Sequence, residues 1–405
     1  MKYLLGEDKY AFTMRSMFYD RNKIWFAESG CNEIYYYDIT NKKVEMFVKL
    51  YDENEYQLRL AGDLCFFEDK MYVIPYSAQK LYKIDFKCKK VNIGIKIPPN
   101  YGNSVESVKF DSAHRYKDYV YLVSATCPAI VEYNCLTNEL RYYDDCVKEG
   151  LSFFKDDDKE TIVFRKTILV GNKIYAPSCV SNMVLEFNVE TKEFVWHEVG
   201  SYKCSYSSAI MHGEWLWLSP RGKGPIVKWN IHTKDWQELS EFPNGYVPCD
   251  GSFGEIIYFN NYYYCIPLCS KVIVRVEEQT GRMELCMQEY GDWNFSCACT
   301  NNEQLYIYSN TTFQFLALNR DGKIECIDLT MPEKQSIYHK IHLSETYKVL
   351  KGEKPLDSVE MIFKEIYIDE LEYYIDFVNK ASNFNKVNGL TETNGYKIKQ
   401  RLVAE

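Results

Sequence analysis

Long apolar runs are missing from this chain. No stretch approaches the ~18 uninterrupted apolar residues that a membrane-spanning helix needs, so no membrane span is expected. The apolar run at the N-terminus is only Tyr3 to Leu5 and stops at Gly6-Glu7-Asp8, too short for the hydrophobic region of a signal peptide. An excess of basic residues is also missing: 48 Lys and Arg stand against 57 Asp and Glu, a formal net charge of −9. A nucleic-acid binder needs a positive face to displace counterions, and the composition argues against one. The 15 cysteines form no C-x-x-C pair. An odd number of thiols scattered through strand-like runs suits small buried apolar side chains in a reducing compartment, which points to a cytoplasmic protein.

Catalytic signatures are equally scarce. There are 6 His, none at zincin spacing, and neither a Gly-rich phosphate loop nor a Gly-x-Ser-x-Gly motif occurs. Cys297 and Cys299 would share one face of a strand and could in principle hold a soft metal, but strand cysteines more commonly serve as core. No metal is expected, and the residues name no cofactor.

What the chain does have is 46% hydrophobic residues and 16% aromatics, including 35 Tyr. Aromatic and β-branched side chains suit the half-buried faces of strands, so the composition leans towards β structure. One pattern recurs seven times: a β-like run, an aromatic-centred strand, a short loop, a third strand, a polar turn and a fourth strand. Taking Trp25, Tyr72, Tyr121, Tyr175, Trp217, Tyr264 and Tyr306 as equivalent, the intervals are 47, 49, 54, 42, 47 and 42 residues. Their mean, about 47, matches a propeller blade. The turn after the third strand repeats as Asp38-Ile-Thr-Asn-Lys, Asn188-Val-Glu-Thr-Lys and Asn230-Ile-His-Thr-Lys, whose leading residue can bond its own backbone two residues on. A single such meander cannot bury both faces; seven stacked radially can. The expectation is an all-β, seven-bladed β-propeller of four-stranded blades over residues 1–330.

Over roughly residues 14–330 the pattern resembles kelch-like and WD-like repeat propellers. It departs from both, because the Gly-Gly pair of kelch blades and the Trp-Asp of WD blades are missing. The resemblance implies the fold and carries over no functional residue. Residues 331–405 lose the β alternation; Leu356, Val359, Ile362, Phe363 and Ile366 fall at helical spacing behind an Asp357 cap, so a helical extension packed on the propeller is expected there.

In this fold the loops between strands two and three share a face with the inter-blade connections, and a central funnel opening there is the natural binding site. The candidate ligand-binding residues are Arg59, Arg165, Arg221, Glu28, Asp250, Tyr206 and Trp293, with hydroxyls from Ser77, Ser178, Ser219, Ser270 and Ser309. Three blades thus present an Arg near one level, and Glu28 with Asp250 could act as acid and base if they met. Such a surface suits a peptide, a protein partner or a glycan-like polar ligand. The expected function is therefore a cytoplasmic binding or scaffold propeller, with a lyase or hydrolase acting on carbohydrate or peptide at the same funnel as the rival.

Overall fold

The computed structural model describes residues 14–329, apart from 30–32, 51–58, 89–90, 97–108, 126, 152–163, 250, 289–294 and 310–311. Within these residues, 28 strands form seven antiparallel four-stranded sheets, each with its strands paired in sequence order. The seven aromatics singled out by the repeat all fall in second strands, and each pairs with the first strand of its own sheet. The helical extension expected over 331–405 lies outside the described residues. No described helix is long and apolar enough to cross a membrane.

The polar turns behave as their chemistry requires. Asp38 Oδ1 accepts from the amides of Thr40 and Asn41 at 2.9 and 3.0 Å, and Asp85, Asn134, Asn188 and Asn230 repeat the arrangement. Each side chain replaces a backbone partner, closing the hairpin at low entropic cost. Lys42, Asn138, Lys192 and Lys234 then take positive φ at the turn exit.

The core lies between sheets rather than within one. Trp25 of the first blade meets Phe66 and Phe86 of the second, Tyr72 meets Tyr133, Tyr175 meets Trp229, and Trp217 stacks on Tyr263 at 3.9 Å. Tyr37 of the first blade packs edge-on against Phe315 of the seventh at 5.7 Å, which closes the ring. The longest interval of the repeat, between Tyr121 and Tyr175, contains a helix the pattern did not suggest, Asp145–Leu151. It lies against the fourth blade, where Trp196 Nε1 donates to the Cys146 carbonyl at 3.0 Å.

Candidate functional site

The first strands of the blades, Met14–Asp20, Ala61–Phe67, Phe110–Tyr116, Ile168–Val170, Tyr206–His212, Phe253–Phe259 and Phe295–Thr300, are neighbours around the ring and form its inner wall. Each carries one extra residue relative to its partner strand, at the same place. The pairing slips between Met14 and Met17, Ala61 and Asp63, Phe110 and Ser112, Phe164 and Ile168, Tyr206 and Ser208, Phe253 and Glu255, and Phe295 and Cys297. A bulge bends its strand and re-aims the side chains beside it. Counting back two residues from the partner of each repeat aromatic gives one level of the wall: Ser16, Asp63, Ser112, Lys166, Ser208, Glu255 and Cys297. One residue earlier, in blades two to seven, come Gly62, Asp111, Arg165, Ser207, Gly254 and Ser296.

This collar is stitched from blade to blade. Asp63 Oδ2 accepts from the Ala113 amide at 2.9 Å, Ser112 Oγ from the Thr167 amide at 3.4 Å, and Glu255 Oε2 from the Ala298 amide at 3.1 Å. In each case the level residue of one blade takes the amide of the next. Ser16 Oγ donates to the Gly62 carbonyl at 3.0 Å.

The charges are shared across the axis. Arg165 Nε lies 3.4 Å from Asp111 Oδ2. Lys166 Nζ, in blade four, lies 3.8 Å from Asp63 Oδ1, in blade two. Burial pushes the Asp63 carboxyl up to about 6, against the pull of Lys166. Its Oδ1 makes no hydrogen bond. Glu255 is also raised by burial, with Lys166 and Arg165 pulling the other way. His114 is pushed down to about 4, by burial first and by Lys166 second. Its Nε2 sits 2.6 Å from Thr167 Oγ1, and that hydroxyl donates to Ser112 Oγ at 2.9 Å. The Thr167 proton being committed, the imidazole is assigned as the Nε2–H donor.

The residues expected from sequence divide clearly. Arg165 is half-buried at the collar. Arg221, in the strand-two-to-three loop of blade five, lies on the same end. Both guanidiniums act on the buried Cys179 thiol, which burial raises to about 11 while Arg221 and then Arg165 draw it back. One nitrogen of Arg221, Nη1, is shielded from solvent and has no hydrogen-bond partner, and the same holds for Ser207 Oγ. Arg59 is exposed between blades one and two with a left-handed φ of 58°. Glu28 is buried between blades one and seven, where it helps to raise the Tyr308 phenol behind the dominant effect of burial. Tyr206 is wholly buried among Tyr175, Leu216 and Trp229, and its hydroxyl donates to the Val199 carbonyl. Asp250 and Trp293 lie outside the described residues.

Several serines expected to meet a ligand are engaged by the protein itself. Ser77 Oγ donates to the Arg59 carbonyl, Ser270 Oγ to the Ser252 carbonyl, and Ser219 pairs with Ser208 at 2.7 Å. Cys297 and Cys299 are buried, and the Cys299 thiol is held well above its usual range by burial. Among the described residues no group of three His, Cys, Asp or Glu is placed to hold a metal ion. Asp63, Lys166, Glu255 and His114 were not singled out from sequence. The signal that would have found them is their fixed distance from the partner of the repeat aromatic.

Seven sequential four-stranded sheets closed about a bulged inner wall decide the architecture. The chain is a seven-bladed β-propeller. No protein-family model matches it, and no curated protein matches it. Among solved structures it is similar to a catalytically inactive virginiamycin B lyase from Staphylococcus aureus with quinupristin. The TM-score is 0.58 at 11% identity, covering 76% of this chain and 94% of the lyase. It is also similar to a streptogramin B lyase, with a TM-score of 0.56 at 10% identity over 74% and 92% of the two chains. The third is YCF48 bound to D1 peptide, at 0.54 and 11% identity over 80% and 94%. At these identities the likeness shows the propeller fold alone.

Proposed function

We propose that this propeller is a binding protein that holds a peptide or another polar ligand bearing an anionic group at the mouth of its funnel. The observation that carries the reading is the enclosed Nη1 of Arg221, which has no hydrogen-bond partner, with Arg165 of the neighbouring blade and Arg221 both drawing down the same Cys179 thiol. A guanidinium donor enclosed and unsatisfied costs free energy that an incoming carboxylate or phosphate oxygen would recover. The peptide-bound YCF48 shows that a propeller of similar shape can serve peptide recognition, which supports the reading by analogy only. A glycan-like ligand remains within it where the sugar carries an acid group. Nine of the fourteen described cysteines are buried as small apolar side chains, which fits the reading of a cytoplasmic protein.

The test is a calorimetric and thermal-shift comparison of short acidic, neutral and basic peptides and of neutral and uronic oligosaccharides. Acidic probes should bind and raise the melting temperature, and Arg221→Gln should weaken that binding at least tenfold without lowering the melting temperature of the free protein. Equal binding by wild type and variant would remove Arg221 from the site.

A second reading, a lyase or hydrolase at the same funnel, is favoured by one observation. Asp63 carries a carboxyl raised to about 6, with one oxygen free of hydrogen bonds, beside Lys166. A carboxyl poised near neutrality can exchange a proton with a substrate. Product formation from an acidic probe, abolished in Asp63→Asn, would select this reading over simple binding.

A further inference from the structure

The described apolar side chains are mostly packed between blades, and the two most exposed of the large exceptions lie in successive inter-blade connections. Tyr202 is 82% exposed and Val247 74% exposed. Tyr202 lies in the connection from blade four to blade five, and Val247 in the connection from blade five to blade six. The loop between strands two and three of blade five runs between them. Its Arg221 amide donates to the Ser205 carbonyl at 2.9 Å, and the Arg221 carbonyl accepts from the Ser252 amide at 2.9 Å. Gly224 abuts the Lys203 carbonyl on the blade-four side. On the blade-six side, Gly251 abuts Cys269. Backbone contacts thus tie these loops into one continuous surface rather than separate tips.

Three segments of this surface carry only positive charge. Residues 200–205, 221–225 and 268–272 contain Lys203, Arg221, Lys223 and Lys271 and no acidic residue, in a chain whose net charge is −9. Lys203, Lys223 and Lys271 are exposed. The connection through Val247 carries Glu241 and Asp250 and no basic residue, and Glu238, in the last strand of blade five, accepts from the Ser201 amide at 2.6 Å. Three exposed lysines beside two exposed apolar side chains, on an otherwise acidic protein, favour an acidic partner with an apolar component.

We infer that the rim of blades four to six is a docking surface for an acidic peptide segment carrying an apolar residue. Its apolar part would lie against Tyr202 or Val247, and its carboxylates would meet Lys203, Lys223 and Lys271. This inference rests on the mouth-binding reading, since the same segment would place one carboxylate on Arg221.

The test uses the full chain and a fluorescein-labelled ten-residue peptide of Glu, Leu, Phe and Gly, read by anisotropy. A control peptide has Lys in place of each Glu, and phosphatidylserine vesicles probe a membrane instead. The acidic peptide should bind and weaken steeply as salt is raised, because the lysines are solvent-exposed and screened. The combined Lys203→Glu, Lys223→Glu and Lys271→Glu variant should lose at least tenfold in affinity, and Tyr202→Ala about fivefold, with unchanged melting temperatures. Wild-type affinity in the charge-reversed variant would overturn the rim while a loss in Arg221→Gln kept the funnel reading. A loss in the rim variant with Arg221→Gln silent would keep the rim and overturn the funnel reading. Binding of the vesicles but not of the acidic peptide, or equal binding of the Lys peptide, would overturn the inference.

Discussion

Lys166 reaches past an intervening blade to meet Asp63, and that single reach explains much of the chemistry inside the ring. It places positive charge where His114 is already short of solvent, and both effects keep the imidazole neutral, with its titration depressed to about 4. The stability consequence has a definite sign. Unfolded, a histidine takes up its proton near 6.5; folded, His114 does so only near 4, so between these values the unfolded chain binds more protons and acid destabilises the fold. Asp63 works in the opposite sense: its folded value, about 6, lies above its unfolded value of 3.8, so its contribution is present in acid and lost as pH rises through 6. Each pH step of one between a group's folded and unfolded values is worth ~1.4 kcal/mol, so His114 alone accounts for about 3–4 kcal/mol of acid-side loss. Urea unfolding between pH 4 and 7 should therefore show a flatter acid limb in His114→Gln, whose amide can still donate to Thr167. The same limb should be steeper in Asp63→Asn, which removes the opposing group. Identical pH profiles in wild type and His114→Gln would mean that the imidazole titrates normally.

The bulge is the element on which the collar depends, and two of its glycines separate space from backbone freedom. A Cβ at Gly62 would sit 2.1 Å from the Phe110 carbonyl oxygen of the next blade. At the equivalent Gly254 the nearest atom would be Leu268 Cβ at 3.6 Å, an ordinary contact. Neither has a positive φ, so alanine tests packing alone. Gly62→Ala should cost about 2–4 kcal/mol by overpacking against backbone that cannot swing aside, while Gly254→Ala should change stability by less than about 1 kcal/mol. Chemical denaturation of the pair checks it; equal costs would show that the second and third blades do not approach as closely as described. The bulge also marks where sequence reasoning stopped. The strands were legible because a repeated aromatic and a repeated Asx turn are local signals, each produced by a few neighbouring residues. The level of Asp63, Lys166 and Glu255 was not, because one extra residue in a strand leaves its composition unchanged while altering which side chains face the axis. Arg165 and Arg221 were found as loop residues near one end, but Tyr206 was placed there too, since its interval along the chain did not reveal that its ring turns into the core beside Trp229. The helix Asp145–Leu151 left only the excess length of one interval.

Ring closure is a property of the whole molecule, and here it rests on side chains. Blade one is built from 14–49 and blade seven from 295–328, so among the described residues no strand from one end completes the sheet of the other. The two blades are held by Tyr37 on Phe315, by Met14 and Met17 packed with Tyr306, Tyr308 and Phe315, and by the exposed Lys42–Glu325 pair at 2.9 Å. An exposed pair contributes at most about 1 kcal/mol, so apolar packing must carry the joint. Truncating Phe315 to alanine removes a fully buried ring and should cost about 3–5 kcal/mol, whereas Lys42→Ala should be nearly silent. Because the blades pack their aromatic cores against their ring neighbours, the damage should also be spatially polarised. Hydrogen exchange in Phe315→Ala should accelerate first in the strands of blades seven and one and last in blades three to five, on the far side of the ring. A comparable truncation at Trp229, between blades four and five, should shift the fast region there. Uniform acceleration in both variants would mean that the ring unfolds as one cooperative unit, with the blade-one to blade-seven joint no more vulnerable than any other.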